Sequence, residues 1–166
     1  MKQHIDQVNH NSDFHNCICG SYPDKFFDWK IIVLFYCAFH YLKALAAKSG
    51  IDIGSTHHDI EMNVNPKFQR TDEHTMRIKK TAWENYNSLF CYSQTARYNG
   101  IIDAQTFEAL KKEDYKRSLN HLKSFSKYII LERQVPITNT IIGIDETQAN
   151  PKERFESQEV KSTNNN

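Results

Sequence analysis

A histidine, His40, stands inside the most apolar stretch of the chain, FFDWKIIVLFYCAFHYLKALAAK (26–48). If this stretch is a helix, Tyr36 lies one turn before His40 on the same face. A buried imidazole without hydrogen-bond partners costs about 1–3 kcal/mol. Two interpretations follow: His40 is a core histidine bonded to a Tyr, a Ser or a backbone carbonyl, or it lines a functional pocket. We favour the core hydrogen bond.

A second group of titratable side chains lies in the segment STHHD (55–59). Ser55 or Thr56 could cap a short helix, and adjacent histidines on a loop are common surface residues. In a functional interpretation His57 or His58 acts as a general acid or base, because an imidazole titrates near neutral pH.

A third group lies in SQTARYNG (93–100). In the structural interpretation Arg97 binds carbonyls in the last turn of a helix, where a cation suits the helix dipole, and Tyr98 closes the end. In the functional interpretation Arg97 points along the core stripe of that helix, which also contains Phe90 and Ser93, toward a phosphate or a carboxylate, and Tyr98 stacks beside it.

Two other patterns are weaker. The segment HNCIC (15–19) contains metal-ligand residue types, but no second ligand pair with zinc-type spacing follows, so we predict no metal site and no cofactor. A basic strip on the last predicted helix is either a solvated face or a contact for a phosphate backbone; its members are Lys112, Lys116, Lys123 and Lys127.

Helical periodicity and turn residues predict an all-α fold, an up-and-down bundle of four to five helices with a disordered C-terminal tail. The predicted helices are 3–18, 24–49, a short turn at 57–64, a third long helix from 71 or 72 to 100, and one or two helices in 103–133. In the second helix, one stripe should face the third long helix and thereby align the polar groups. That stripe comprises Trp29, Val33, Tyr36, His40, Ala44 and Ala47.

Composition places the chain among proteins with one domain and a tail. Its 166 residues are 39% apolar and 12% aromatic, and the net charge is +1, which gives no global signature of polyanion binding. Residues 134–166 are rich in Thr, Asn, Gln, Glu and Lys, so we predict a domain at 1–133 and a mostly disordered tail at 134–166. We expect a cytoplasmic protein with reduced cysteines, including buried Cys37 and Cys91, and no membrane span.

Four segments in fixed order resemble an uncharacterised bacterial group of HEPN-domain proteins. They are HIDQVNHNSDF (4–14), DWKIIVLFYCAFHYLKALAAK (28–48), STHHD (55–59) and YNSLFCYSQTARY (86–98). The resemblance implies a helical bundle, often dimeric, in a superfamily rich in RNA-cleaving toxins and defence proteins, with other members that bind nucleotides. It also implies a homodimer and a cognate antitoxin-like protein as partners.

The ribonuclease members of that superfamily carry an Arg and a following His with four to six residues between them, whereas Arg70 and His74, like Arg117 and His121, have only three between them. In this chain Arg97 has no such histidine after it. We therefore expect a module that binds RNA or a nucleotide without a clear catalytic motif. The alternatives are a metal-independent endoribonuclease that uses Arg97 with His40, His57 or His58, and a scaffold protein. A ribonuclease requires a histidine and Arg97 to meet in one open cleft.

Overall fold

The protein folds as a bundle of α-helices. A computed structural model describes residues 1–68, 72–98, 103–138, 141 and 143. Within these residues there are five α-helices and no strand, which confirms the predicted all-α bundle. The helices are α1 (Lys2–Ser21), α2 (Phe27–Lys48), α3 (His57–Val64), α4 (Lys80–Tyr98) and α5 (Ala104–Lys127).

Helix α2 is the central helix, in contact with α1, α4 and α5. It is the one described helix that is long and apolar enough to cross a membrane, yet 67% of its most apolar window is buried inside the protein. Burial among three neighbours therefore accounts for its composition. Its fully buried side chains include Ile31, Leu34, Cys37, Ala38, Tyr41 and Leu42.

The predicted orientation of α2 was wrong by part of a turn. Trp29 and Tyr36, expected on the face toward α4, are 55% and 42% exposed. The adjacent Phe35 instead packs on Tyr86 and Phe90 of α4, with ring centroids 6.0 and 5.7 Å apart. Because α2 is apolar on nearly every side, hydrophobicity alone could not select the buried face.

Helix α3 has the predicted bounds, and a capping box explains its start. The Thr56 hydroxyl accepts a hydrogen bond from the Asp59 backbone N–H at 3.1 Å, and the Asp59 carboxylate accepts one from the Thr56 N–H at 3.1 Å. Gly54, just before the cap, has φ +80°, a conformation that side chains rarely adopt.

Helix α4 begins at Lys80, several residues later than predicted. The Asp72 carboxylate accepts hydrogen bonds from the Thr75 hydroxyl and the His74 N–H, which closes a turn rather than opening a helix. The chain then runs extended, with Met76 and Ile78 buried on alternate positions. The Met76 N–H donates to the Asn63 carbonyl of α3, a tertiary contact that sequence periodicity does not reveal.

Helix α5 starts where Asp103 was predicted to cap it, since the Asp103 carboxylate accepts from the Thr106 N–H at 2.8 Å. A π-helical turn, Tyr128–Glu132, follows it. Leu122, Phe125 and Ile129 are fully buried against the rest of the bundle.

The packed domain continues beyond the predicted boundary at residue 133. Val135, Ile137 and Ile141 are 1%, 4% and 2% exposed, in the same core as α2. The Lys48 ammonium donates to the carbonyls of Arg133 and Gln134 at 2.7 and 2.6 Å. The remainder of the predicted disordered tail lies outside the described residues.

All four cysteines are free thiols. Cys37 is buried as predicted, and burial raises the pKa of its thiol to about 12. The prediction that Cys91 is buried was wrong, because Cys91 lies on the solvent face of α4.

Candidate functional site

The last two turns of α4 hold Arg97 in a fixed position. Its Nη2 donates to the Ser93 hydroxyl at 3.0 Å, and its Nε donates to the Ser93 carbonyl at 3.3 Å. The Ser93 hydroxyl in turn donates to the Phe90 carbonyl at 2.8 Å. Since Ser93 is fully buried, these hydrogen bonds tie the guanidinium to a buried position of α4.

Two aromatic rings of α2 complete the support of Arg97. Its Cζ lies 5.6 Å from the centre of the Tyr36 ring and 5.7 Å from that of Phe35, which is cation–π range. Phe35 is buried, whereas Tyr36 is 42% exposed. No carboxylate pairs with Arg97 in the part of the chain that the structure describes. Its positive charge therefore has no internal counterion there.

The first residue of α3 brings an imidazole to the same place. The His57 ring lies 4.1 Å from the Phe90 ring and 5.2 Å from the Phe35 ring, centre to centre. Burial lowers the pKa of His57, and the positive charge of Arg97 lowers it further. His57 is therefore neutral at pH 7 and can accept or donate a hydrogen bond.

We call this group of side chains the Arg97 corner: Phe35, Tyr36, His57, Phe90, Ser93 and Arg97. It joins a fixed guanidinium, a neutral imidazole and a half-exposed tyrosine ring. A guanidinium binds phosphate oxygens through charge-assisted hydrogen bonds, and an exposed aromatic ring stacks on a base. In the described residues no three His, Cys, Asp or Glu side chains form a potential metal cluster.

His40 is not part of this corner. Its Nδ1 lies 3.2 Å from Nδ1 of His4 on α1, and the two rings stack at 5.5 Å. Burial lowers the pKa of His40 to about 4, with further lowering by His4 and Lys43. The partners expected from sequence, a Tyr, a Ser or a carbonyl, are replaced by a second histidine.

Two other candidates also lie apart. His58 is exposed on α3, and Tyr98 is 74% exposed at the end of α4. Of the seven candidate residues, the structure thus brings together Tyr36, His57, Ser93 and Arg97.

Sequence reasoning did not name the aromatic walls of the corner, Phe35 and Phe90, as site residues. A signal for Phe90 existed, because it precedes Ser93 by three residues and Arg97 by seven, which places all three on one face of α4. Phe35 gave no such signal, since α2 offers apolar residues in every direction. His4, the partner of His40, could not be identified without the packing of α1 on α2.

Two of the four lysines of the basic strip on α5 form ion pairs. Lys112 binds Asp24 at 2.8 Å, and Lys116 binds Glu113 at 2.7 Å. Lys123 and Lys127 also have interaction partners. The strip therefore offers less free positive charge than its sequence suggests, and the solvated-face interpretation fits it better.

The sequence profile of the HEPN domain family matches residues 20–133. That range contains every residue of the Arg97 corner and covers more than half of the chain. No curated protein and no solved structure matches the chain. The helical architecture and the profile match agree, and the chain belongs to the HEPN domain family.

Proposed function

We propose that this protein is a HEPN module that binds RNA or a nucleotide phosphate at the Arg97 corner, in a cytoplasmic stress or defence setting. The observation that carries the proposal is the guanidinium of Arg97, which Ser93 fixes and no described carboxylate neutralises. A bound phosphate would supply the missing counterion.

The neighbours of Arg97 suit the rest of a nucleotide. Tyr36 presents an exposed ring beside the guanidinium, and a base can stack on such a ring whatever its identity. His57, neutral at pH 7, can donate a hydrogen bond to a phosphate oxygen or accept one from a ribose hydroxyl. The corner therefore fits a single-stranded ligand with an accessible base.

Binding of a fluorescent single-stranded RNA, measured by anisotropy at several salt concentrations, tests the proposal. Loss of one charged hydrogen-bond donor costs about 1.5–3 kcal/mol, so Arg97→Gln should weaken binding roughly 10- to 100-fold. The matched control is Arg77→Gln, which removes an equal charge from an exposed arginine just before the other end of α4. Equal losses in the two variants, or an affinity that does not change with salt, would overturn the proposal.

A second candidate is a metal-independent endoribonuclease. The observation in its favour is that His57 and Arg97 both lie beside the Phe35 ring, with the His57 ring centre 5.2 Å and the Arg97 Cζ 5.7 Å from its centre. His57 would take the proton from the ribose 2′-hydroxyl, and Arg97 would stabilise the charged phosphorane.

RNA cleavage in EDTA distinguishes the two functions. For the endoribonuclease, His57→Ala and Arg97→Ala should abolish cleavage, while His58→Ala, one residue away on the exposed side of α3, should retain it. If the wild type does not cleave RNA, or if all variants cleave it equally, the endoribonuclease is excluded and the RNA-binding module is retained. Absence of RNA binding as well would favour the scaffold alternative. The homodimer and the antitoxin-like partner remain predictions.

A further inference from the structure

A cavity of about 400 Å³ lies between the end of α3 and the start of α4. Two amides, two lysines, one carboxylate and one indole line it, namely Asn65, Asn87, Lys67, Lys80, Glu84 and Trp83. We call it the Trp83 cavity. Its volume lies within the range of small-ligand sites, and none of these side chains belongs to the Arg97 corner. The cavity is therefore a separate candidate for binding.

The helical repeat of α4 places the Trp83 cavity and the Arg97 corner on one face. Trp83, Phe90 and Arg97 follow one another at intervals of seven residues, which is about two turns. Asn87 and Gln94 lie between them on the same face, the first exposed and the second half-buried. At about 1.5 Å per residue, Trp83 and Arg97 are about 21 Å apart along the helix axis. A ligand longer than this can contact both places at once.

Helix α3 borders this face of α4. The ring centre of His57, its first residue, lies 4.1 Å from that of Phe90. Asn65, just after its last residue, lines the cavity together with Trp83. These two meeting points are about 12 Å apart along α3 and about 10 Å apart along α4, so the two helices run antiparallel. One groove therefore leads from the Arg97 corner to the Trp83 cavity.

A nearly buried amide stands in the wall of the cavity. Asn65 is 7% exposed, and its Oδ1 accepts a hydrogen bond from the Lys67 backbone N–H at 3.0 Å. This bond fixes the orientation of the amide and leaves Nδ2 to donate. Trp83 is 8% exposed, so a small part of its indole ring faces the cavity. An aromatic surface beside an oriented donor suits a nucleobase, which packs on aromatic rings and carries acceptors on its edge.

The two lysines of the cavity differ in the free charge that they present. The Lys80 ammonium lies 3.7 Å from the Glu84 carboxylate, which neutralises part of its charge. Lys67 is exposed, and no carboxylate pairs with its ammonium within the residues that the structure covers. Glu61, exposed on α3, opposes phosphate contacts along that helix. Free positive charge is thus present at both ends of the groove, at Lys67 and at Arg97.

We propose that the ligand is a single strand of RNA that lies along this groove, with one phosphate on Arg97, another on Lys67 and a base of the same strand in the Trp83 cavity. This inference rests on the function proposed above, and it selects an RNA strand over a mononucleotide. A stacked strand rises about 3.4 Å per nucleotide, so a span of about 21 Å corresponds to about six nucleotides, and to fewer in an extended strand. A dinucleotide reaches one end of the groove only.

Fluorescence anisotropy of the full-length protein with labelled oligouridylates of two and twelve nucleotides tests the inference. We expect the 12-mer to bind at least about tenfold more tightly than the dimer, because its two contacts are linked. Arg97→Gln should weaken both RNAs, whereas Lys67→Gln should weaken the 12-mer about fivefold and leave the dimer nearly unchanged. The matched control is Lys25→Gln, which removes an equal charge from an exposed lysine between α1 and α2 and should bind both RNAs as the wild type does.

The salt dependence of the affinity counts the phosphates that are bound. For single strands, log K falls with log salt concentration with a slope of about −0.7 per phosphate, so two contacts give about −1.4 for the 12-mer and one contact gives about −0.7 in Lys67→Gln. An unchanged slope in Lys67→Gln, or equal losses of affinity in Lys67→Gln and Lys25→Gln, would overturn the inference.

Tryptophan fluorescence reports on the cavity itself. The chain has two tryptophans, and Trp29 is 55% exposed on α2, so Trp29→Phe leaves Trp83 as the single indole of a folded protein, which circular dichroism verifies. In that variant the 12-mer should quench the fluorescence and the dimer should not; no quenching by the 12-mer would also overturn the inference. If the dimer binds as tightly as the 12-mer and still requires Arg97, the inference fails and the proposed function stands with a short ligand. If neither RNA binds, the proposed function fails as well.

Discussion

Protonation of His15 should lower the stability of the fold in acid. In the folded chain burial lowers the pKa of His15 from 6.5 to about 4. Above pH 6.5 the imidazole is neutral in both states, and its contribution to stability is fully present. As the pH falls from 6.5 to 4, the unfolded chain binds a proton that the folded chain does not, so the free energy of unfolding falls.

The size of this effect follows from the pKa difference. Each pH unit in this window costs about 1.4 kcal/mol, so the total loss attributable to His15 is about 3 kcal/mol. That is a large share of the roughly 5–15 kcal/mol by which a domain is stable. The contribution does not depend chiefly on ion pairs, because the main cause of the shift is burial of the imidazole.

The measurement is urea unfolding of wild type and His15→Gln between pH 7.5 and 4.5. Gln does not titrate, so the variant should lose about 2.5 kcal/mol less than the wild type over this range, whatever its stability at pH 7.5. Other groups titrate equally in both proteins and cancel. His10→Gln, at an exposed position of the same helix, should follow the wild type. Parallel pH profiles for wild type and His15→Gln would refute the reasoning.

Two further predictions concern local packing. Gly54→Ala should lower the free energy of unfolding by about 1–3 kcal/mol, because φ is +80° and a Cβ there would lie 2.3 Å from the Cβ of Asp59. The control is Gly20→Ala, because nothing lies within 4 Å of a Cβ at that position. Equal melting temperatures of the two variants would contradict the argument. In the native protein a thiol reagent should modify the exposed Cys17 at once and the buried Cys37 only on unfolding, because burial raises the pKa of the Cys37 thiol to about 12. Rapid labelling of both cysteines would show that solvent reaches the core around Cys37.

Local signals predicted much of the fold. The bounds of α3 follow from Thr56 as a cap, and the start of α5 follows from Asp103, because both caps are bonds between residues three apart. The start of α4 was predicted too early, because Asp72 closes a turn whose continuation depends on a bond from Met76 to Asn63. That bond joins distant segments and has no periodic signature.

The difference between local signals, which the sequence contains, and contacts between distant segments, which it does not, also applies to the functional residues. Ser93 and Arg97 were predicted as a pair because they are one helical turn apart on α4. The placement of His57 and Arg97 around the Phe35 ring, and the contact of His40 with His4, depend on how separate helices pack. On α2, where every face is apolar, composition could not distinguish the side that faces α4 from the side that faces solvent.

The central position of α2 has a consequence for motion. A helix that contacts α1, α4 and α5 at once cannot separate from one neighbour and keep the others in place. Its amide hydrogens, from Ile31 to Leu45, should therefore exchange with solvent deuterium only through global unfolding. Phe35 and Tyr36, which α2 contributes to the Arg97 corner, should therefore belong to the slowest-exchanging part of the protein. A ligand that binds there would meet a surface that is already formed.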